Sequence, residues 1–163
     1  PEMSRGLGDV YKRQLNWYIA GERARRVGKR LPDYMEFTVA ADGSPQGLDA
    51  SNANGHTATT NKARTAVGKI ANAISALNIC DLVGNVWKWL NELLHDPTAA
   101  SAAWYDVFGG GYGQAYMYSS TGLHALVGGG GWSNGVPCGS RAVYCSTYPW
   151  YVNTSVGVWC VCD

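Results

Sequence analysis

Between Gly43 and Asn78 the chain runs through Gly, Ser, Thr, Asn and Ala with little alternation of apolar and polar residues. Neither the two-residue period of a strand nor the 3.6-residue period of a helix is sustained there. The segment therefore reads as a long surface excursion, with short helical turns expected around Lys62–Ala76. Connections of that length are uncommon in compact domains, so the fold must be one that tolerates loops. Composition agrees: the chain carries 21 Gly, 7 Trp and 10 Tyr, and only 15% of its residues are charged. Disordered chains combine low hydrophobicity with high net charge, and collagen-like chains place glycine every third residue. This chain does neither, and its 163 residues suit one domain with a substantial core.

Regular structure is expected on both sides of the excursion. Trp17, Ala20, Ala24 and Val27 recur at helical spacing, which predicts a helix over 15–28. Gly28 would be its C-terminal cap, with basic residues at the end favoured by the helix dipole. In "LPDYMEF", Asp33 with Glu36 three residues on forms a capping box, and Phe37 opens a buried face. That predicts a second helix over 33–42, stopping near Asp42-Gly43. Short strands are expected near Tyr112–Tyr118, His124–Gly128, Arg141–Cys145 and Val156–Cys162, separated by Gly- and Asn-containing turns. The predicted class is α+β: two helices packed on small antiparallel sheets, joined by long loops.

Charge excludes some functions. Eight of the 13 basic residues lie in 1–30, and after Lys88 the only one is Arg141. Cations without a nucleic-acid-binding motif read as a solvated helix face, so no nucleic-acid partner is expected. Cys80, Cys138, Cys145, Cys160 and Cys162 are odd in number and irregular in spacing, which argues against a disulfide framework. With no C-x-x-C and no histidine at zinc-ligand spacing, they are expected to be reduced thiols. Cys160 and Cys162 would share a strand face as small buried hydrophobes. Reduced thiols favour synthesis in a cytoplasm. No apolar run approaches 18 residues, so no membrane insertion is expected, and no signal peptide is visible.

Residues 1–14, "PEMSRGLGDVYKRQ", look foreign. "DVYKRQ" resembles an in-frame translation of a transposase recognition end used in sequencing libraries. The expectation is that 1–14 are an assembly artefact and that 15–163 form a domain whose natural N-terminal part is missing.

Four stretches together resemble a known family. "AGERARRVGKRLPDYMEFTVAA" (20–41), "DLVGNVWKW" (81–89), "GGGW" (129–132) and "GVWCVCD" (157–163) stand in the order of the formylglycine-generating-enzyme-like (sulfatase-modifying factor) domain. There the corresponding stretches read like A-G-K-R-L-P-T-E-A-E-W, G-N-V-W-E-W, R-G-G-S-W and G-F-R. The resemblance covers most of 15–163, and G-N-V-W followed after one residue by a second Trp is its most specific part. It implies a variant of the C-type lectin fold.

Within that family, function rests on the site and not on the fold. The oxidases that convert a sulfatase cysteine hold copper with two cysteines spaced five apart just after the G-G-S-[YW] turn. The matching places here fall near Asn134 and Gly139, and neither is cysteine; Cys138 and Cys145 are seven apart. Relatives that form sulfoxide bonds use an iron site of three histidines. His56, His95 and His124 include no ligand-spaced pair. In G-N-V-W-E-W the Glu can give a carboxylate to calcium, but Lys88 stands there. An ammonium supplies no oxygen and repels the ion; Asp81 keeps one possible ligand, and the resemblance implies an empty site or a Lys88 salt bridge. No catalytic residue, metal or cofactor is expected.

The C-terminal segment, about 129–163, also resembles the variable region of proteins diversified by retroelements, in which adenine-directed mutagenic reverse transcription rewrites chosen codons of a lectin-fold domain. "WYDVFGGGYGQAYMYSSTGLHALV" (104–127) is of a kind seen in phage and prophage members. Tyr mixed with Ser, Thr and Asn is the composition of antibody paratopes, where Tyr gives rigid amphipathic area and the small residues give adaptable hydrogen bonds. The predicted ligand-binding residues are Ser133, Asn134, Val136, Pro137, Tyr144, Ser146, Thr147, Tyr148, Tyr151, Asn153 and Thr154. The predicted structural core is Trp87, Trp89, Trp132, Arg141 and Trp150, with Trp159 or Trp132 sharing one core with Trp87 and Trp89, and Gly139 and Gly157 as scaffold. On a strand, Trp87 and Trp89 would face one way and Lys88 the other, while Arg141 would be partly buried and paired.

Three function classes stand side by side: a non-enzymatic binding domain with a diversified face, a divergent formylglycine-type oxidase, and a carbohydrate-binding lectin. The first fits best. The cysteine placement opposes the second, and the third lacks the E-P-N or Q-P-D motif of calcium-dependent sugar binders. The expected partner is an unidentified protein or glycan, a cell-surface receptor among them, and the expected location a virion (phage tail) or a cell surface.

Overall fold

The computed structural model describes residues 15–47, 64–99 and 101–162. The reading of 1–14 and the position of His56 lie outside these residues. Helix α1 spans Trp17–Arg26; Asn16 caps it by accepting a hydrogen bond from the Ile19 amide at 3.0 Å. Ala20, Gly21 and Ala24 form its buried face. Val27, expected on that face, is exposed and serves as the C-cap. Gly28 follows at φ +68°, the left-handed position that ends a helix cheaply only with glycine.

Helix α2 spans Tyr34–Ala40, and the capping box read from the sequence is present in both directions between Asp33 and Glu36. Arg30 lays its guanidinium fork on the Glu36 carboxylate with two 2.6 Å bonds. That contact, with the Asp33 amide, lowers the Glu36 pKa to about 2. Phe37 is buried, as expected.

The strands are β1 (Lys29–Arg30), β2 (Trp87–His95), β3 (Ala103–Tyr105), β4 (Ala115–Met117), β5 (Leu123–Gly128), β6 (Val143–Thr147), β7 (Val156–Gly157) and β8 (Val161–Cys162). β1 pairs antiparallel with β8, and the other six form one sheet in the order β3-β4-β6-β5-β2-β7. The sheet is mixed: β2 pairs parallel with β7, and β4 with β6. The expected antiparallel arrangement therefore holds only for the remaining ladders. Val156–Cys162, read as one strand, divides between the two sheets. Residues 64–76 form short isolated turns and no helix, two of them closed by the Lys69 amide on the Ala66 carbonyl and the Ala73 amide on the Ile70 carbonyl.

Strand β2 runs buried on both faces from Trp87 to Leu90 and alternates only afterwards. On one face Trp87 and Trp89 join Leu15, Ala20, Leu31, Ala125 and Val127. On the other, Leu90 joins Phe37, Leu82, Val83, Leu126, Cys138 and Val143. The Trp89 indole donates to the Leu15 carbonyl at 2.9 Å, and the Trp17 indole returns a 2.7 Å bond to the Leu90 carbonyl. These reciprocal bonds fasten the start of α1 to the central strand and satisfy both indole donors, which burial would otherwise penalise.

Several scaffold expectations need correction. Trp159 packs edge-on against Phe37 at 6.4 Å, in the second cluster and not with Trp87 and Trp89. Trp132 is half-buried and belongs to neither cluster. Trp150 is 58% exposed. Arg141 is exposed too, with its guanidinium 4.5 Å from the centroid of the Tyr112 ring, a cation–π contact instead of a buried ion pair. All five cysteines are free thiols, but only Cys138 is buried, and Cys162 is exposed because β8 lies at the edge of a two-stranded sheet.

Candidate functional site: an aromatic pocket in the C-terminal segment

A cavity of about 320 Å³ opens beside β6 and β7, lined by Trp87, Val127, Tyr144, Ser146, Thr147, Tyr148, Tyr151, Ser155 and Val156. Its walls are built by simple devices. The Trp87 amide donates to the Ser155 carbonyl at 2.8 Å, and the β2–β7 ladder continues that contact. Tyr148–Tyr151 make a turn closed by a 2.9 Å amide bond. Buried Pro149 pins this turn, because its carbonyl accepts the Trp17 amide at 2.9 Å. A rigid foot thus carries the exposed Tyr148, Trp150 and Tyr151 rings.

Aromatic contacts fix the floor. Tyr144 stacks on Tyr116 at 4.4 Å and 9°, and meets Trp87 and Trp104 edge-on at 6.0 and 6.1 Å. Burial, followed by the neighbouring tyrosines, pushes the Tyr144 phenol up to about 12, so it stays neutral. At the rim Tyr148 lies between Trp150, stacked at 4.9 Å, and the fully buried His124 ring at 4.8 Å.

Of the residues proposed from sequence, Tyr144, Ser146, Thr147, Tyr148 and Tyr151 line this cavity. Ser146 and Thr147 are more buried than their loop-like composition implies, because they close strand β6. Asn153 braces the wall: its Nδ2 donates to the Tyr151 hydroxyl at 2.7 Å and its Oδ1 accepts the Ser155 amide at 2.9 Å. Thr154 is exposed beside it. Ser133, Asn134, Val136 and Pro137 occupy the 131–139 turn and do not line the cavity. The Asn134 side chain accepts the Gly131 amide at 2.9 Å, and that turn abuts the Trp87 indole edge. Sequence reasoning missed Trp87, Val127, Ser155 and Val156 as lining residues. The W-x-W pair was readable only as core, and nothing local announces the two-residue strand that brings 155–156 to it.

Lys88 and the cysteines answer the metal question. Lys88 is 5% exposed, and its Nζ donates to the Gly84 carbonyl at 2.7 Å. Burial pulls its pKa down to about 7, and nearby Asp81 partly opposes this. The amine faces Cys138 and Asp81, away from the tryptophans. A divalent cation needs oxygen ligands here; the donor set offers an amine, so calcium does not fit. Copper bound by cysteines needs thiolates. Burial pushes Cys138 up to about 12 and Cys145 to about 11, and the two sit in different elements, a loop turn and β6. Among the described residues no group of three or more His, Cys, Asp or Glu side chains is arranged to hold a metal. No helix there is long and apolar enough to cross a membrane.

Comparison with known proteins follows this geometry. The Major Tropism Determinant M1 variant superposes with a TM-score of 0.65 at 26% identity, over 91% of this chain and 37% of its own. The P3c variant gives 0.60 at 28%, with the same coverage. Among curated proteins, the tail fiber receptor-binding protein of Bordetella phage BPP-1 is 28% identical over 148 residues, 90% of this chain and 36% of its own length. The serine/threonine-protein kinase Pkn1 of Chlamydia trachomatis serovar L2 is 35% identical over 86 residues, 48% of this chain and 13% of the kinase. The chain thus spans about a third or less of the curated relatives it matches. The profile of the sulfatase-modifying factor enzyme 1-like domain covers residues 12–163. With the lectin-like α+β architecture, the ordered motifs and that match in hand, the chain belongs to the sulfatase-modifying factor enzyme 1-like domain family.

Proposed function

We propose that this is a non-enzymatic ligand-binding domain whose C-terminal segment, about 129–163, presents a diversified face, in a retroelement-diversified variable protein of a phage or prophage. Its ligand is a protein or glycan on a cell surface, and its place is a virion tail or a cell surface. The observation that carries this reading is the pocket itself. Paratope-type residues cluster at one rigidly footed cavity, whose lining includes neither a cysteine nor Lys88. Its similarity to a tail fiber receptor-binding protein and to tropism determinants supports the same reading. Burial raises the Cys138 and Cys145 thiols above the thiolate range the oxidase alternative needs, and the lectin alternative lacks the E-P-N or Q-P-D motif.

The test lies in the source DNA. The reading expects a near-copy of the 129–163 coding segment beside a reverse-transcriptase gene, differing from it only at adenines of the copy. Source DNA that carries neither the copy nor the enzyme overturns diversification.

A further inference from the structure

We propose that the cavity between Trp87, Tyr144, Tyr148 and Tyr151 captures one large uncharged apolar side chain of a protein partner, in preference to a sugar ring or a cationic group. The inference rests on reading the C-terminal segment as a binding face, and it names the chemistry of the ligand.

Size is the first argument. A volume of about 320 Å³ admits a single side chain of Leu, Phe or Trp size, and aromatic side chains bury roughly 150–250 Å² each in such places. The floor is also preorganised: the Tyr116 stack and the edge contact of Trp104 hold Tyr144, and a parallel stack on Trp104 holds Trp87, before any ligand arrives. Rigid aromatic pockets of this kind hold the hot spots of protein interfaces, because little ordering cost remains to be met on binding.

The polar inventory then excludes a sugar. A pyranose brings several hydroxyls that must each find a partner, and buried polar groups left unpaired cost more than a good contact gains. The carboxamide at the rim, Asn153, has an internal partner at each end, Tyr151 on one and the Ser155 amide on the other. Ser146 donates to the Tyr118 carbonyl at 3.4 Å. Six of the nine lining residues, Tyr144, Ser146, Thr147, Tyr148, Tyr151 and Ser155, carry a hydroxyl, but no carboxylate, carboxamide or guanidinium lines the cavity, so no fixed bidentate group holds a pair of neighbouring sugar hydroxyls. A cation fares no better. Aromatic faces attract cations, but with no carboxylate among the lining residues that attraction alone must offset the cost of desolvating the strongly hydrated charge. What the walls do satisfy is apolar surface.

The experiment is an NMR titration of the labelled full chain with four probes: N-acetyl-L-tryptophanamide, N-acetyl-L-leucinamide, N-acetyl-L-argininamide and methyl β-D-galactopyranoside. The first two are expected to shift the Trp87 indole and the Tyr144–Tyr151 amides, with dissociation constants about tenfold or more below those of the other two. Tyr148→Ala should weaken the tryptophanamide by about fivefold or more. Met35→Ala, on the exposed side of α2, should leave its binding unchanged. Tighter binding of the galactoside or the argininamide overturns the proposal, as does failure of every probe to shift the pocket. If a display library built on the face still yields binders while the probes fail, only the pocket chemistry is wrong. If both fail, the binding-face reading fails with it.

Discussion

Replacing Lys88 by methionine gives the sharpest stability test, because the structure fixes both the sign and the size of its effect. The folded-state pKa of about 7 lies below the ordinary lysine value of 10.5. Between those values the unfolded chain holds a proton that the folded chain has released. Stability therefore rises with pH across that window and falls as pH drops toward 7. With one proton released near pH 7, linkage gives a gain on the order of 1–2 kcal/mol between pH 7 and 8.5. Methionine matches the lysine stem in volume, keeps the apolar contacts and cannot titrate, so Lys88→Met should lose that increment. Its absolute stability at pH 7 should fall, because the Gly84 carbonyl loses the Lys88 donor and removing one member of a buried polar contact is costly; the readout is the pH dependence. The assay is urea unfolding followed by tryptophan fluorescence, for both proteins at both pH values. Burial raises the Cys138 and Cys145 pKa values above 9, so their contribution has the opposite sign and begins only near the top of this range. It cancels to first order in the comparison. Parallel pH dependences in the two proteins would refute the reasoning.

Trp89→Ala removes a fully buried indole and its bond to the Leu15 carbonyl, and should cost about 3–5 kcal/mol, read as a collapse of the urea midpoint. Calorimetry should detect no tight calcium binding by the unmodified domain, and Lys88→Glu alongside it tests whether the amine is what excludes the ion. Incubation with copper and a cysteine-containing sulfatase-type peptide should yield no aldehyde by mass spectrometry; turnover abolished by changing Cys138 or Cys145 would reverse that assignment.

Local signals were legible in the sequence where the physics is local. The Asp33–Glu36 capping box, the stop at Gly28 and the placing of Lys88 opposite Trp87 and Trp89 each depend on residues within a few positions of one another. What depends on distant pairing was not legible. The parallel β2–β7 and β4–β6 ladders join segments far apart in the chain, and no periodicity reports them. The pocket shows the same division. Tyr144, Tyr148 and Tyr151 could be picked by residue type, but Trp87, Val127 and Val156 enter only through sheet order. Trp150 and Arg141 were misread for a related reason. A large aromatic or a lone arginine in an apolar chain suggests burial, yet Trp150 stacks on Tyr148 at the surface and Arg141 on Tyr112.

The central claim is that the C-terminal face can change without loss of the fold beneath it. Its direct measurement is a display library randomised at the positions proposed between Ser133 and Thr154, sorted first for folded protein and then for binding to a panel of unrelated surface proteins. Exposed positions such as Tyr148 and Tyr151 should tolerate substitution within about 0.5 kcal/mol. Most clones changed at the exposed positions Ser133, Val136, Tyr148, Tyr151 and Thr154 should therefore fold, and some should acquire ligands absent from the parent. Enriched changes should gather around the Tyr144–Tyr151 cavity. A library in which most clones fail to fold, or in which no folded clone gains a ligand, would contradict the account.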